Sequence, residues 1–367
     1  VDFESIPFWL YPVGFLLMLG PLVVLHELGH YLVGRWFGVG AEAFSVGFGR
    51  EIAGYTDSRG TRWKLSALPL GGYVQFKGDM NPASMPDPAA PKEDGAFQHA
   101  KLWQKALIVG AGPAANLLIA FLILFAFVMA FGKAVTPPVI ESFAEESVAQ
   151  EAGLLAGDRI VAIDGEPIDD FSDVQGLVAP YPGETIDIRV ERNGLERSVP
   201  VQIASIDMVD RFGNESRLGM LGVYAAAGER VDVGPIEGLG EAGVEIVRIT
   251  DMMVTGIGQI ITGKRSVKEL GGPITIAKLS GERLSLGWVE FAFFAALISL
   301  NLAFINLLPI PALDGGHLAF YAAEAIRGKP ASARSQEWAM RAGIAVVLAL
   351  MLFVTVIDIA KLPMFGS

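Results

Sequence analysis

Long apolar runs alternate with polar stretches along this chain. Four runs carry no charged residue: Phe8–Leu25, Ala106–Phe131, Phe291–Leu313 and Ala342–Ile357. A helix that crosses a bilayer needs about 20 mostly apolar residues. The second and third runs meet that directly, the first does so by continuing to about Val33, and the fourth does so with its flanks. The pattern predicts an α-helical polytopic membrane protein with four transmembrane helices. The first run is read as a span rather than a secretory signal, because residues 1–9 carry Asp2 and Glu4 and no basic residue.

Composition supports this reading. Of 367 residues, 52% are hydrophobic and 19% charged, against about 25% charged in soluble domains, and the mean hydropathy is +0.45. A net charge of −12 speaks against nucleic acid as a partner. Cysteine is absent, which excludes disulfides and thiolate metal sites.

Basic residues set the orientation. Residues 35–104 hold eight Lys or Arg, and Arg327, Lys329, Arg334 and Arg341 cluster between the third and fourth runs. Both connections are therefore expected on the cytoplasmic side, with both termini and the long stretch 133–288 outside.

Chemistry is concentrated in the first run, which contains His26-Glu27-Leu28-Gly29-His30. Residues four apart share a helix face, so both imidazoles can address one metal ion, and Glu27 can reach a water on it. Zinc acidifies such a water, and a carboxylate can take its proton. Ionisable groups in an apolar span are costly unless they are paired or functional. A catalytic zinc needs a third protein ligand and an open position. Asp314, in the segment Asn306 to His317 at the inner end of the third span, is the sharper candidate, because both sites then lie at the same depth. Pro309 and Pro311 break the helix there and let the carboxylate turn back. His317 is left with three readings: a supporting group, a surface residue, or the third ligand itself. His99 is the remaining histidine.

HELGH at 26–30, GPAAN at 112–116 and NLLPIPALDGG at 306–316 together resemble the site-2 protease family of intramembrane zinc metalloproteases. The nearest likeness is to the bacterial branch that includes the sigma-E regulator protease, over nearly the whole chain. The resemblance implies Zn2+ held by His26, His30 and Asp314, with Glu27 as general base. It implies that Asn306 holds the unwound substrate or polarises its carbonyl; Asn116 is placed beside it as substrate-binding or transition-state support, with packing or orientation of the core as the other reading. It further implies a bacterial inner-membrane location, with the active site near the cytoplasmic face, and regulated intramembrane proteolysis of single-pass membrane proteins. Anti-sigma factors, polarity or division factors and remnant signal peptides are the candidate substrates, and the lipid bilayer is the surrounding partner. Two rival readings are a transporter with a structural metal and a non-catalytic PDZ scaffold.

The expected domains follow. Residues 1–34 form the first span, 35–104 a β-rich membrane-associated loop, and 105–132 the second span. Residues 135–204 form one PDZ domain, in which Asn193-Gly194 makes a hairpin turn. Residues 205–289 are an extracytoplasmic linker with an amphipathic helix at Glu245–Ile261 and a last strand near 218–223. Residues 290–318 carry the third span and zinc motif, and 338–361 the fourth span. The loop's strands offer an edge to an extended substrate, and residues 79–95 read as an irregular mobile segment. The PDZ domain is read as a size filter in preference to a peptide binder.

Overall fold

The structure is a computed structural model that describes residues 6–78, 94–209, 215–225, 228–263, 266–267 and 271–360. Most of the irregular segment expected at 79–95 lies outside the described residues. The chain divides into two compact units, one of residues 1–124 and 271–358, the other of 125–270 with the chain end from 359.

Among the described residues, four helices are long and apolar enough to cross a membrane. They are α1 (Leu10–Trp36), α2 (Leu102–Phe131), α7 (Trp288–Leu307) and α9 (Ala333–Ala360). Their side chains leave many large apolar groups exposed, such as Leu17, Leu118, Leu122 and Leu352. Lipid rather than water is the solvent that makes such surfaces stable.

Between α1 and α2 lie β1 (Ala41–Thr56) and β2 (Arg62–Phe76). Their turn is built by Asp57, whose Oδ1 accepts the N–H groups of Arg59 and Thr61, both at 2.9 Å. Both strands bend, so Phe44 faces Val74 on one side and Trp63 on the other. Phe44, Val74, Phe76, Phe97, Tyr31 and Ile108 form one buried cluster, which fixes the end of β2 against α1 and α2.

The first unit continues with α6 (Pro273–Leu286), α7, α8 (Asp314–Arg327) and α9. Helices α1 and α6 touch backbone to backbone: a Cβ on Gly14 would lie 2.8 Å from the Gly281 nitrogen. Asp358 of α9 is buried and caps α6, accepting the N–H groups of Gly272, Ile274 and Thr275 at 3.0 Å each. Residues 290–318 comprise parts of two helices. Helix α7 stops at Leu307, and Pro309 and Pro311 precede the restart at Asp314.

The second unit contains β3 (Lys133–Val135), β4 (Ile140–Phe143), α3 (Val148–Glu151), β5 (Arg159–Ile163), β6 (Glu166–Pro167), α4 (Phe171–Val178), β7 (Thr185–Arg192) and β8 (Leu195–Gln202). There follow β9 (Ala204–Val209), β10 (Glu215–Met220), β11 (Val223–Ala225), β12 (Glu229–Val231) and α5 (Pro235–Ile261). Strands β6-β5-β7-β8 form an antiparallel sheet, and β11 pairs with β4. Ile140, Leu154, Ile160, Ile188, Val190 and Val201 fill its core. Asn193 and Gly194 both take positive φ, 54° and 76°, as a tight two-residue hairpin requires. The strand expected near 218–223 is split, because Gly222 turns at φ 71° against Ser147. Helix α5 begins ten residues before the expected amphipathic stretch. Pro235 supplies its fixed φ at the first turn, where a missing N–H costs nothing.

Candidate metal centre

Helix α1 places His26 and His30 one turn apart, both buried. Helix α2 crosses at the same level. A Cβ on Gly29 would lie 2.4 Å from the Ala111 carbonyl oxygen, so the two backbones are in contact there. Gly112 lies under the imidazoles, where a Cβ would come within 2.2 Å of His30 Nε2.

Asp314 reaches the same point from the break after α7. Gly315 and Gly316 let the start of α8 press on the end of α7: added Cβ atoms would lie 2.3 Å from the Leu307 oxygen and 2.4 Å from the Ile310 oxygen. Ala312 adopts φ 153°, a strained conformation for a residue with a side chain. That strain and the two glycines turn the carboxylate toward the histidines.

Asp314 Oδ2 lies 3.2 Å from His26 Nε2 and 3.6 Å from His30 Nε2, and the two ring nitrogens are 3.2 Å apart. His30 Nδ1 donates to the Ile108 carbonyl at 2.8 Å, since a carbonyl can only accept. In the neutral ring that leaves Nε2 with a lone pair aimed at Asp314. Accordingly Asp314 Oδ2 is buried without a hydrogen-bond donor among the described residues. Two imidazole nitrogens and a carboxylate oxygen converge, all three within 4.8 Å of one another. Such electron-rich atoms repel unless a cation lies between them, and the donor set suits a borderline-soft divalent ion such as zinc. The residues therefore fit a metal.

The cluster lines a cavity of about 200 Å³, whose wall also includes Glu27, Tyr73, Asn306 and His317. Glu27 packs against β2, where a Cβ added to Gly72 would lie 3.2 Å from its Cγ. Asn116 is buried on α2, with its side-chain amide 3.2 Å from His26 Nδ1. His99 belongs to a short helical turn, Phe97–His99, and is not among the cavity-lining residues. In the sequence Gly112 stands only as the first residue of GPAAN, and nothing marks the Ile108 carbonyl. For Gly112 the available signal is its spacing: it stands four residues before Asn116.

The model of peptidase family M50 matches residues 14–350. A relative from Agrobacterium fabrum that bears a zinc metalloprotease name is 43% identical over 366 residues, covering 96% of each chain. One of the same description from Rhizobium meliloti is 44% identical over 355 residues, covering 94% of this chain and 95% of the relative. Metalloprotease MmpA of Caulobacter vibrioides is 33% identical over 389 residues, covering 96% of this chain and 98% of its own. A solved PDZ domain of an SdrC-like protein from Listeria monocytogenes aligns with 26% of this chain and 93% of its own at 18% identity, with a TM-score of 0.20, too low to carry an argument.

The chain belongs to peptidase family M50. Family membership, four helices of membrane-spanning length and the cluster of two histidines and a carboxylate make it a zinc metalloendopeptidase that acts within the membrane.

Proposed function

We propose that His26, His30 and Asp314 hold the zinc ion and that Glu27 is the general base for hydrolysis of a peptide bond within or beside the transmembrane segment of a single-pass membrane protein. The observation that carries this reading is the convergence of three donor atoms on one point, with Asp314 Oδ2 buried and lacking a donor among the described residues. When bound, zinc polarises the scissile carbonyl and acidifies the attacking water.

A substrate helix must unwind before cleavage, because its amides are shielded by their own hydrogen bonds. Gly72 and Tyr73 of β2 line the cavity wall and suit an extended strand laid beside them. Asn306, on the same wall, offers its amide to the scissile carbonyl. Glu27 takes the proton of the attacking water as the new C–O bond forms. It then delivers that proton to the amide nitrogen as the C–N bond breaks, so the carboxylate is regenerated.

Residues 135–204 are read as a single PDZ domain; the antiparallel sheet β6-β5-β7-β8 with α4 beside it supports that reading. The basic residues of 35–104 and 327–341 favour a bacterial inner-membrane topology with both termini and this domain outside and the active site near the cytoplasmic face. The outer domain then acts as a size filter, so that a protein is cut only after its bulky external part has been removed. An anti-sigma factor, a polarity or division factor and a remnant signal peptide all meet that description.

The test is cleavage of a trimmed single-pass substrate in liposomes by the native chain and by Glu27→Gln at equal zinc content. The expected loss is about 10²–10⁴-fold. Equal cleavage by both would remove Glu27 from the mechanism.

A further inference from the structure

Helix α2 presents three groups on one face at four-residue intervals: the Ile108 carbonyl, the Cα of Gly112 and the Asn116 side chain. Helix α1 presents His30 and His26 at the same interval. The Ile108 oxygen lies 2.8 Å from His30 Nδ1, and the Asn116 amide lies 3.2 Å from His26 Nδ1, with Gly112 under both rings. Each imidazole thus has its outer nitrogen against α2 and its inner nitrogen against Asp314.

As placed, Asn116 turns Nδ2 toward the ring and leaves Oδ1 buried with no donor among the described residues, in a residue only 1% exposed. Amide oxygen and nitrogen have the same shape, so their partners decide which one faces the ring. If Nδ2 donated to His26 Nδ1, the neutral ring would carry its proton on Nε2, and that nitrogen could not bind a metal. Turning the amide over resolves both conflicts. Oδ1 gains a donor, and His26 takes the same tautomer that the Ile108 carbonyl imposes on His30. The backbone is held for this purpose, since Ser299 Oγ of α7 donates to the Asn116 carbonyl at 2.7 Å.

We infer that Asn116 is a positioning residue whose Oδ1 accepts the Nδ1–H of His26 and so fixes Nε2 as the metal-binding nitrogen. This rests on the reading of His26, His30 and Asp314 as metal ligands. It gives Asn116 a role toward the metal and none toward the substrate.

The test compares zinc affinity, by competition with a chelating dye, for the native chain, Asn116→Asp and Asn116→Leu. Aspartate keeps an acceptor at the Oδ1 position and removes the amide donor; leucine removes both. The expected result is native-like affinity for Asn116→Asp, within about threefold, and a loss of about 10–100-fold for Asn116→Leu, the usual effect of removing such a partner. Equal losses in both variants would show that the amide donates and would overturn the inference, as would native affinity in both.

A measurement on the native chain keeps the inference testable if a variant does not fold. The chain has four histidines, so ring 15N signals of the metal-free protein can be assigned. Nδ1–H tautomers at His26 and His30 are expected, and an Nε2–H tautomer at His26 overturns the inference. Failure of the native chain to bind one zinc, or equal binding by His26→Ala, would instead remove the underlying metal-site reading and is read separately from the Asn116 series.

Discussion

Gly112→Ala is the most local perturbation the metal centre offers. The new methyl carbon would lie 2.2 Å from His30 Nε2, 2.4 Å from its Cε1 and 2.8 Å from His26 Cε1, where ordinary contact begins at 3.4 Å. The His30 ring would have to retreat by about 1.2 Å, many times the roughly 0.2 Å latitude of a metal–ligand distance. It has little room, because Nδ1 is bound to the Ile108 carbonyl at 2.8 Å. The helices cannot part cheaply either, since Gly29 already rests on the Ala111 carbonyl. Loss of one ligand of three is expected to weaken zinc binding by at least about 100-fold, or about 2.7 kcal/mol. Gly110→Ala is the control, because nothing lies within 4 Å of its added Cβ. It should keep zinc and gain slightly in helix stability, by up to about 1 kcal/mol. Chelator competition and thermal unfolding of the metal-free forms separate the two effects. Zinc affinity of Gly112→Ala within about threefold of native would refute the close approach of α2 to the imidazoles.

Two further perturbations test parts of the fold away from the metal. In the second unit Arg192 binds Asp158 twice at 2.6 Å, and the Asp158 side chain is 1% exposed. Burial pushes that carboxyl up, but Arg192 and the Leu155 N–H outweigh it and hold it below its ordinary value. The stabilisation is therefore complete above about pH 4 and is lost as pH falls through the lower folded value, which acid titration of the unit by circular dichroism checks. Arg192→Leu strands the carboxylate and should cost about 3–5 kcal/mol at neutral pH; a change under about 1 kcal/mol in denaturant unfolding would contradict the pairing. Asp358→Ala leaves the Gly272, Ile274 and Thr275 N–H groups without their acceptor. It should cost about 2 kcal/mol, at the upper end for a lost cap, with faster hydrogen exchange confined to the start of α6; unchanged exchange there would refute the cap.

Much of this protein is legible in one dimension because a bilayer imposes simple rules. Apolar length alone finds the four spans, since lipid admits only segments that satisfy their own backbone. Asn193-Gly194 locates the turn of the β7–β8 hairpin, because positive φ at two adjacent positions is a local requirement. His26 and His30 are legible as a pair because the helix repeat brings residues four apart together. The two prolines announce the break before Asp314, since they remove donors and clash with the preceding turn.

What the sequence leaves open depends on contacts between segments remote in the chain. Asp314 lies 288 positions after His26, and no local rule measures the gap between them; the folded chain brings their atoms to 3.2 Å. The Ile108 carbonyl that holds His30 and the place of Gly112 under the rings were invisible for the same reason. The first is a backbone carbonyl, which every residue possesses, and the second is a glycine whose role shows only when a ring is found above it. The start of α5 and the split between β10 and β11 turn on single backbone angles at Pro235 and Gly222. Sequence by itself thus determined the spans, the paired histidines and the candidate acid. Tertiary structure decided which third group meets them and which face of α2 holds the rings, because convergence of lone pairs is a property of distances across helices and not of spacing along one.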